Sequence, residues 1–178
     1  MFNSKSLKYG VAVCAGALAI GSAVWADVGH EDAPNIGQTG SISHIDRVIE
    51  VKMGEMFFDP KSIDLQNGET IKFVIKNDGR AVHEFAIGTE EMQIDHEGEM
   101  RQMQKLGMIT VNKLRHEKMR AAGMMHTDPN SRLLEPGDTA ELIWTFSGDA
   151  KGLMIACNVP GHRQAGMKAS LNFTGQHS

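Results

Sequence analysis

Cys157-Asn158-Val159-Pro160-Gly161-His162-Arg163-Gln164-Ala165-Gly166-Met167 sets a thiol, an imidazole and a thioether on one loop. The loop lies between two short apolar segments, Leu153 to Cys157 and Lys168 to Phe173, that read as strands. Pro160 has no N–H and stiffens the loop, while Gly161 and Gly166 permit the tight turns that let His162 and Met167 face inward. A loop built this way can wrap one metal ion.

Outward from the loop, the chain is punctuated as short strands. Ile45 to Val51, Ser62 to Leu65, Thr70 to Ile75, Val82 to Ile87 and Thr139 to Phe146 are rich in Val, Ile and Phe. Asp59-Pro60, Asn67-Gly68, Asn77-Asp78-Gly79, Pro136-Gly137-Asp138 and Ser147-Gly148-Asp149 separate them as turns. Many short strands at this spacing predict an all-β sandwich. His83 opens the strand Val82-His83-Glu84-Phe85-Ala86-Ile87, just after the turn at Asn77 to Gly79. In a sandwich, that strand end and the Cys157 to Met167 loop meet at one pole.

A trigonal set of two imidazoles and one thiolate, with a weak axial thioether, suits copper: soft sulfur favours Cu(I), and imidazole accepts both oxidation states. Zinc can use Cys and two His, but a structural zinc site usually closes with a fourth Cys or His rather than a thioether. Singly, Cys157 reads as a buried thiol, His83 as a core histidine, His162 as a loop residue and Met167 as packing. Their joint spacing is what points to a metal. Asn77, Asn158 and the backbone amides near Cys157 are candidates to orient the ligands.

On these residues the sequence resembles the cupredoxins, and among them the periplasmic copper-tolerance cupredoxins of the CopI kind. The likeness rests on His83-Glu84-Phe85, Ala156 to His162 with Gly166-Met167, a Met-rich insertion closed by His126-Thr127-Asp128-Pro129-Asn130, and Pro136-Gly137. It implies a Greek-key β-sandwich holding one type 1 copper ion, with ring nitrogens from His83 and His162, the Cys157 thiolate and the Met167 axial sulfur.

The insertion, residues 89–132, is rich in Glu, Gln, Lys, Arg and Met and predicts helix, broken near Gly107. Seven of the 12 methionines fall there, interleaved with His96, His116 and His126. Met92, His96, Met100 and Met103 fall at helical intervals on one face, although Gly98 weakens the helix. Two readings are open: a second copper site from Met92, His96, Met100, Met103 and His126, or an apolar face that packs on the sandwich.

At the N-terminus, Lys5 and Lys8 precede an apolar run from Val11 to Ile20, which small residues follow up to Ala26. This outline predicts a signal peptide over 1–26, an exported periplasmic protein and no stable membrane insertion after cleavage. Residues 27–43 read as a mobile N-terminal arm and 44–178 as the copper domain. Cleavage leaves 16 basic against 22 acidic residues, a net charge of −6 that disfavours nucleic acid as a partner. It also leaves Cys157 as the one cysteine, so no intramolecular disulfide is expected.

The expected function is one-electron transfer in the service of copper tolerance, by a monomer that meets a redox partner such as a cytochrome or a copper oxidase. The alternative is a plain electron carrier between respiratory enzymes. Enzymatic activity is not expected beyond a weak cuprous oxidase. Ala156 and Asn158 flank the cysteine where a multicopper oxidase would carry histidines, and Cys157 is alone where a dinuclear centre needs two thiolates.

Overall fold

The computed structural model describes residues 35–125, 128–147 and 152–174. The expected signal peptide and His126 lie outside them. Among the described residues there are ten strands: β1 (Gln38–Thr39), β2 (Arg47–Gly54), β3 (Phe57–Asp59), β4 (Ser62–Leu65), β5 (Thr70–Asn77), β6 (His83–Gly88), β7 (Ser131–Leu134), β8 (Thr139–Thr145), β9 (Met154–Ala156) and β10 (Lys168–Phe173). Two helices, α1 (Glu90–Lys105) and α2 (His116–Ala121), lie between β6 and β7.

The strands form two five-stranded sheets, one in the order β1-β8-β5-β2-β3 and the other β4-β10-β9-β6-β7. The chain crosses from sheet to sheet five times, at β3–β4, β4–β5, β5–β6, β7–β8 and β8–β9, the crossed connectivity of the expected Greek-key sandwich. Alternation makes the core. In β5, Ile71, Phe73, Ile75 and Asn77 are buried, while Lys72, Val74 and Lys76 point to the other face. Phe73 lies 5.1 Å from Phe85 and 6.1 Å from Phe146, ring centre to ring centre, and bridges the two sheets.

Strand β6 breaks the alternation, since all six of its residues are buried. Phe85 and Ile87 join the core, and the opposite face, Glu84, Ala86 and Gly88, lies under α1. The joint is tight: a Cβ on Gly88 would come within 3.0 Å of the Gln93 amide and 3.3 Å of Met92 Cβ. Thr89 caps α1 by accepting the Met92 N–H, and Glu90 and Glu91 sit in its first turn. Gly98 does not interrupt the helix. It faces open space, and its cost of about 1 kcal/mol is set against the buried face of Gln93, Glu97, Met100 and Met103. The helix ends where a break was expected, with Gly107 at φ +65°.

Three strands depart from the sequence reading. β7 begins inside the stretch read as helical insertion, because Ser131 to Leu134 pairs with Ala86 to His83 of β6. β3 pairs with the end of β2. β1 lies in the segment read as a mobile arm, where Gln38 and Thr39 pair with Thr145 and Trp144, and the indole of Trp144 donates to the carbonyl of Ile36 at 2.9 Å. These segments are short and carry little periodicity: partners far along the chain make β1 and β7 strands, and the adjoining β2 makes β3 one.

Phe73→Ala is expected to lower the unfolding free energy by about 3–5 kcal/mol, because its ring spans both sheets. Val74→Ala, on the other face of the same strand, should cost markedly less. Denaturant midpoints of the two variants check this.

Candidate metal centre

Strand pairing brings the chemistry together. β9 pairs with β6 through Ala86 and Ala156, and with β10 through Ala156 and Lys168. Continued by one residue, the second register sets Cys157 beside Met167, whose carbonyl accepts the Cys157 N–H at 3.2 Å. The intervening loop closes on itself: the His162 N–H donates to Val159 O and the Met167 N–H to His162 O, both at 3.0 Å. Gly161 at φ +91° and Gly166 at φ +99° take the left-handed turns that make this closure possible.

The three donors converge at one point. Nδ1 of His83 lies 3.2 Å from Nδ1 of His162, and Sγ of Cys157 lies 3.4 Å from the latter and 4.0 Å from the former. A position equidistant from the three atoms is about 2.1 Å from each, close to first-row metal–nitrogen and metal–sulfur bond lengths. His83, Cys157 and Met167 are fully buried and His162 is half-buried. Among the described residues no other His, Cys, Asp or Glu joins this cluster, so a fourth ligand of the usual structural-zinc kind is lacking. Two imidazoles and one thiol fit a soft or borderline ion such as copper.

The electrostatics act in one direction. Burial pushes the Cys157 thiol up to about 12; the Glu84 carboxylate adds to this and the backbone N–H of Glu84, donated to Sγ at 3.3 Å, opposes it. Burial, helped by the neighbouring His83, takes His162 down to about 4. Burial also lowers His83, against the pull of Glu55. Charge is thus disfavoured on all three groups. That leaves two imidazole lone pairs and a thiol proton that a bound cation would displace.

Around the donors lies a set of orienting contacts. Asn77, fully buried, donates to the carbonyls of Ala81 and Leu134 at 2.9 and 3.1 Å and accepts the Gly79 N–H at 3.0 Å, which fixes the turn ahead of His83. Glu55 accepts the N–H groups of Arg80 and Ala81, which hold its carboxyl below the usual carboxylate range. Its Oε1 stands 3.6 Å from Nε2 of His83, on the side of the ring away from Cys157. Glu84 accepts from the backbone and the side chain of Asn158 at 3.3 and 3.1 Å, and from Nε2 of His96 at 2.8 Å. Arg163, next to His162, pairs with Glu90 and, at 2.8 Å, with Glu97, both on α1.

Asn77 and Asn158 were legible as candidates; Glu55, Gln93, Glu97 and the side chain of Glu84 were not, because their partners lie on other elements. Of the second set, Met100 and Met103 are buried in the core, Met92 and His96 are half-buried, and His126 lies outside the described residues. Two surface clefts flank this region. One of about 380 Å³ includes His116, Met119, Met125 and Asp128, and one of about 350 Å³ includes Met103, Met124 and Met125. No helix among the described residues is long and apolar enough to cross a membrane.

The residue pattern of the copper binding proteins of the plastocyanin/azurin family matches residues 45–174. The copper-resistant cuproprotein CopI of Pseudomonas aeruginosa is 41% identical over 162 residues, covering 85% of this chain and 88% of that protein. Its counterpart of the same name in Rubrivivax gelatinosus is 33% identical, over 78% of this chain and 73% of that one. Among solved structures, auracyanin B superposes with a TM-score of 0.56 over 80% of this chain and 98% of its own, at 17% identity, a likeness of fold.

The Glu84 pair also predicts a pH effect. Burial opposes charge on His96, but the hydrogen bond and charge of Glu84, with the charges of Asp128 and Glu99, outweigh it and lift the ring to about 9. A histidine raised on folding adds stability that is complete below about pH 6.5, its unfolded value, and is lost as the pH rises through 9. The stability gap between the wild type and His96→Gln is therefore expected to be widest near pH 6 and to shrink toward pH 10. Unfolding midpoints of both proteins across that range check it.

Proposed function

The chain belongs to the plastocyanin/azurin family of copper-binding proteins, among its CopI-like cupredoxins, and from that premise we propose that it is a periplasmic type 1 copper protein that defends the cell against excess copper. One-electron transfer is its elementary act. The observation that carries this reading is the convergence of Nδ1 of His83, Nδ1 of His162 and Sγ of Cys157 at bonding distance from one point. Met167, buried and paired with Cys157 through the backbone, would add a thioether to these donors.

Copper, when bound, supplies a Cu(I)/Cu(II) couple that takes up and returns single electrons. The protein's part is to hold the donors still. The closed loop from Cys157 to Met167 and the Asn77 turn hold the backbone that carries the donors, so that little rearranges between the two states. His162 is the least buried of the set, and its ring edge is the route by which an electron reaches a partner, a cytochrome or a copper oxidase.

The defensive role, rather than carriage between respiratory enzymes, is favoured by the name of the relatives, copper-resistant cuproproteins. The methionines that reach the clefts beside α2, Met119 and Met125 with His116, offer soft donors where Cu(I) would be buffered or delivered.

Loaded with Cu(II), the purified protein should show intense sulfur-to-copper absorption and a type 1 paramagnetic signal, and Cys157→Ala should abolish both. Absorption that persists in the variant refutes the centre. In cells, deletion should raise copper sensitivity, with rescue by the wild type and not by Cys157→Ala; loss of a respiratory activity with normal copper tolerance would move the function to the plain carrier.

A further inference from the structure

The insertion helix reaches the metal centre through one buried carboxylate. Glu84 follows His83 on β6, and its side chain turns away from the sandwich interior, toward α1, without any exposed surface. Its Oε2 accepts from the N–H and the side-chain amide of Asn158, the residue next to Cys157, and its backbone N–H donates to the Cys157 sulfur. Its Oε1 accepts from Nε2 of His96, on α1, at 2.8 Å. Gln93, one turn earlier on that helix, accepts from the Asn158 amide at 2.6 Å and donates to the carbonyl of Ala86 at 2.9 Å. The outer wall of the Cys157–Asn158 corner is therefore built by the insertion.

A carboxylate in such a place is costly unless its charge is compensated. The neighbouring cation of the ligand loop, Arg163, is engaged with Glu90 and Glu97 instead. In a poorly polarisable interior, an uncompensated negative charge this near the copper thiolate stabilises the oxidised, more positive ion over the reduced one. Compensation from α1 reverses that bias.

We propose that His96 is a positioning residue for the copper centre: as a cation carried on the insertion helix it neutralises Glu84, holds that carboxylate on Asn158, and so keeps the reduction potential of the Cys157-bound copper high. The ring is suited to this role, because burial is outweighed by Glu84, with Asp128 and with Glu99 at 3.5 Å adding to its pull, and the ring is lifted to about 9. The assignment rests on the copper reading of His83, Cys157 and His162. It also gives His96 a task other than ligation by the methionine face, since its Nε2 is given to Glu84.

The test compares copper-loaded wild type, His96→Gln, Glu84→Gln and the double variant by redox titration and visible spectroscopy. Gln keeps a hydrogen-bond donor at 96 and removes the charge, so the potential of His96→Gln is expected to fall while the sulfur-to-copper band remains. Adding His96→Gln to Glu84→Gln should lower it no further. An unmoved potential in His96→Gln overturns the proposal, and so does an equal fall in the Glu84→Gln background, which would show that His96 acts without Glu84. If His96→Gln cannot be purified folded, His96→Lys keeps the charge and is expected to keep a potential near the wild-type value; a fall there overturns the proposal too. A wild-type protein lacking the band that Cys157→Ala removes overturns the copper reading itself, an outcome distinct from a wild-type band with an unmoved His96→Gln potential.

Discussion

The side-by-side pairing of β6, β9 and β10 is the constraint on which everything else rests. Each strand brings one part of the centre to the same pole: β6 begins with His83, β9 runs out into Cys157, and β10 starts directly after Met167. Because the registers are fixed by burial on both faces of β6, a slip of one residue would turn His83 and Phe85 outward and put Glu84 into the core. The chemistry is thus secured by the same packing that secures the fold, and the loop has only to close a gap whose ends are already set.

Around that frame the interior carries several polar groups whose hydrogen bonds each fix something. Asn77 shapes a turn, Asn158 and Glu84 shape the corner beside the sulfur, and Glu97 holds Arg163 of the ligand loop. Buried hydrogen-bonded charges add little net stability, yet removing one partner is expensive. Such groups specify an arrangement more than they strengthen it, which suits a metal site whose donors must keep their places.

The sequence made the loop legible because Cys157, His162 and Met167 are local and their spacing is itself the signal. His83 was legible one step less directly, from its place at the head of a strand. The helical period of Met92, His96, Met100 and Met103 was also readable, and α1 does turn that side toward the sandwich. The period cannot say what a face meets, however, and β6 presents a carboxylate there. Glu84 and Glu55 escaped for that reason, since a carboxylate beside a histidine gains meaning only when a partner tens of residues away arrives next to it. The first half of β7 was read into the insertion because Ser131 to Leu134 has no alternation of its own and becomes a strand only by pairing with β6. The described part of the arm, residues 35–43, has the same explanation, being held by the Trp144 indole, the pairing of β1 with β8 and the Gly40 N–H donated to Ile143 O at 2.9 Å.

That small edge strand has a further effect. β8 would otherwise present a row of unpaired N–H and C=O groups beside Trp144, a template on which a second chain could add itself. β1 covers part of this row, and with two residues it is too short to serve as a template in its turn. Gly37 keeps the cover close, since a side chain there would strike the carbonyl of Thr145 and the ring of Trp144. The segment least like structure in the sequence therefore acts as a selvedge, finishing the sheet so that it does not unravel into its neighbours.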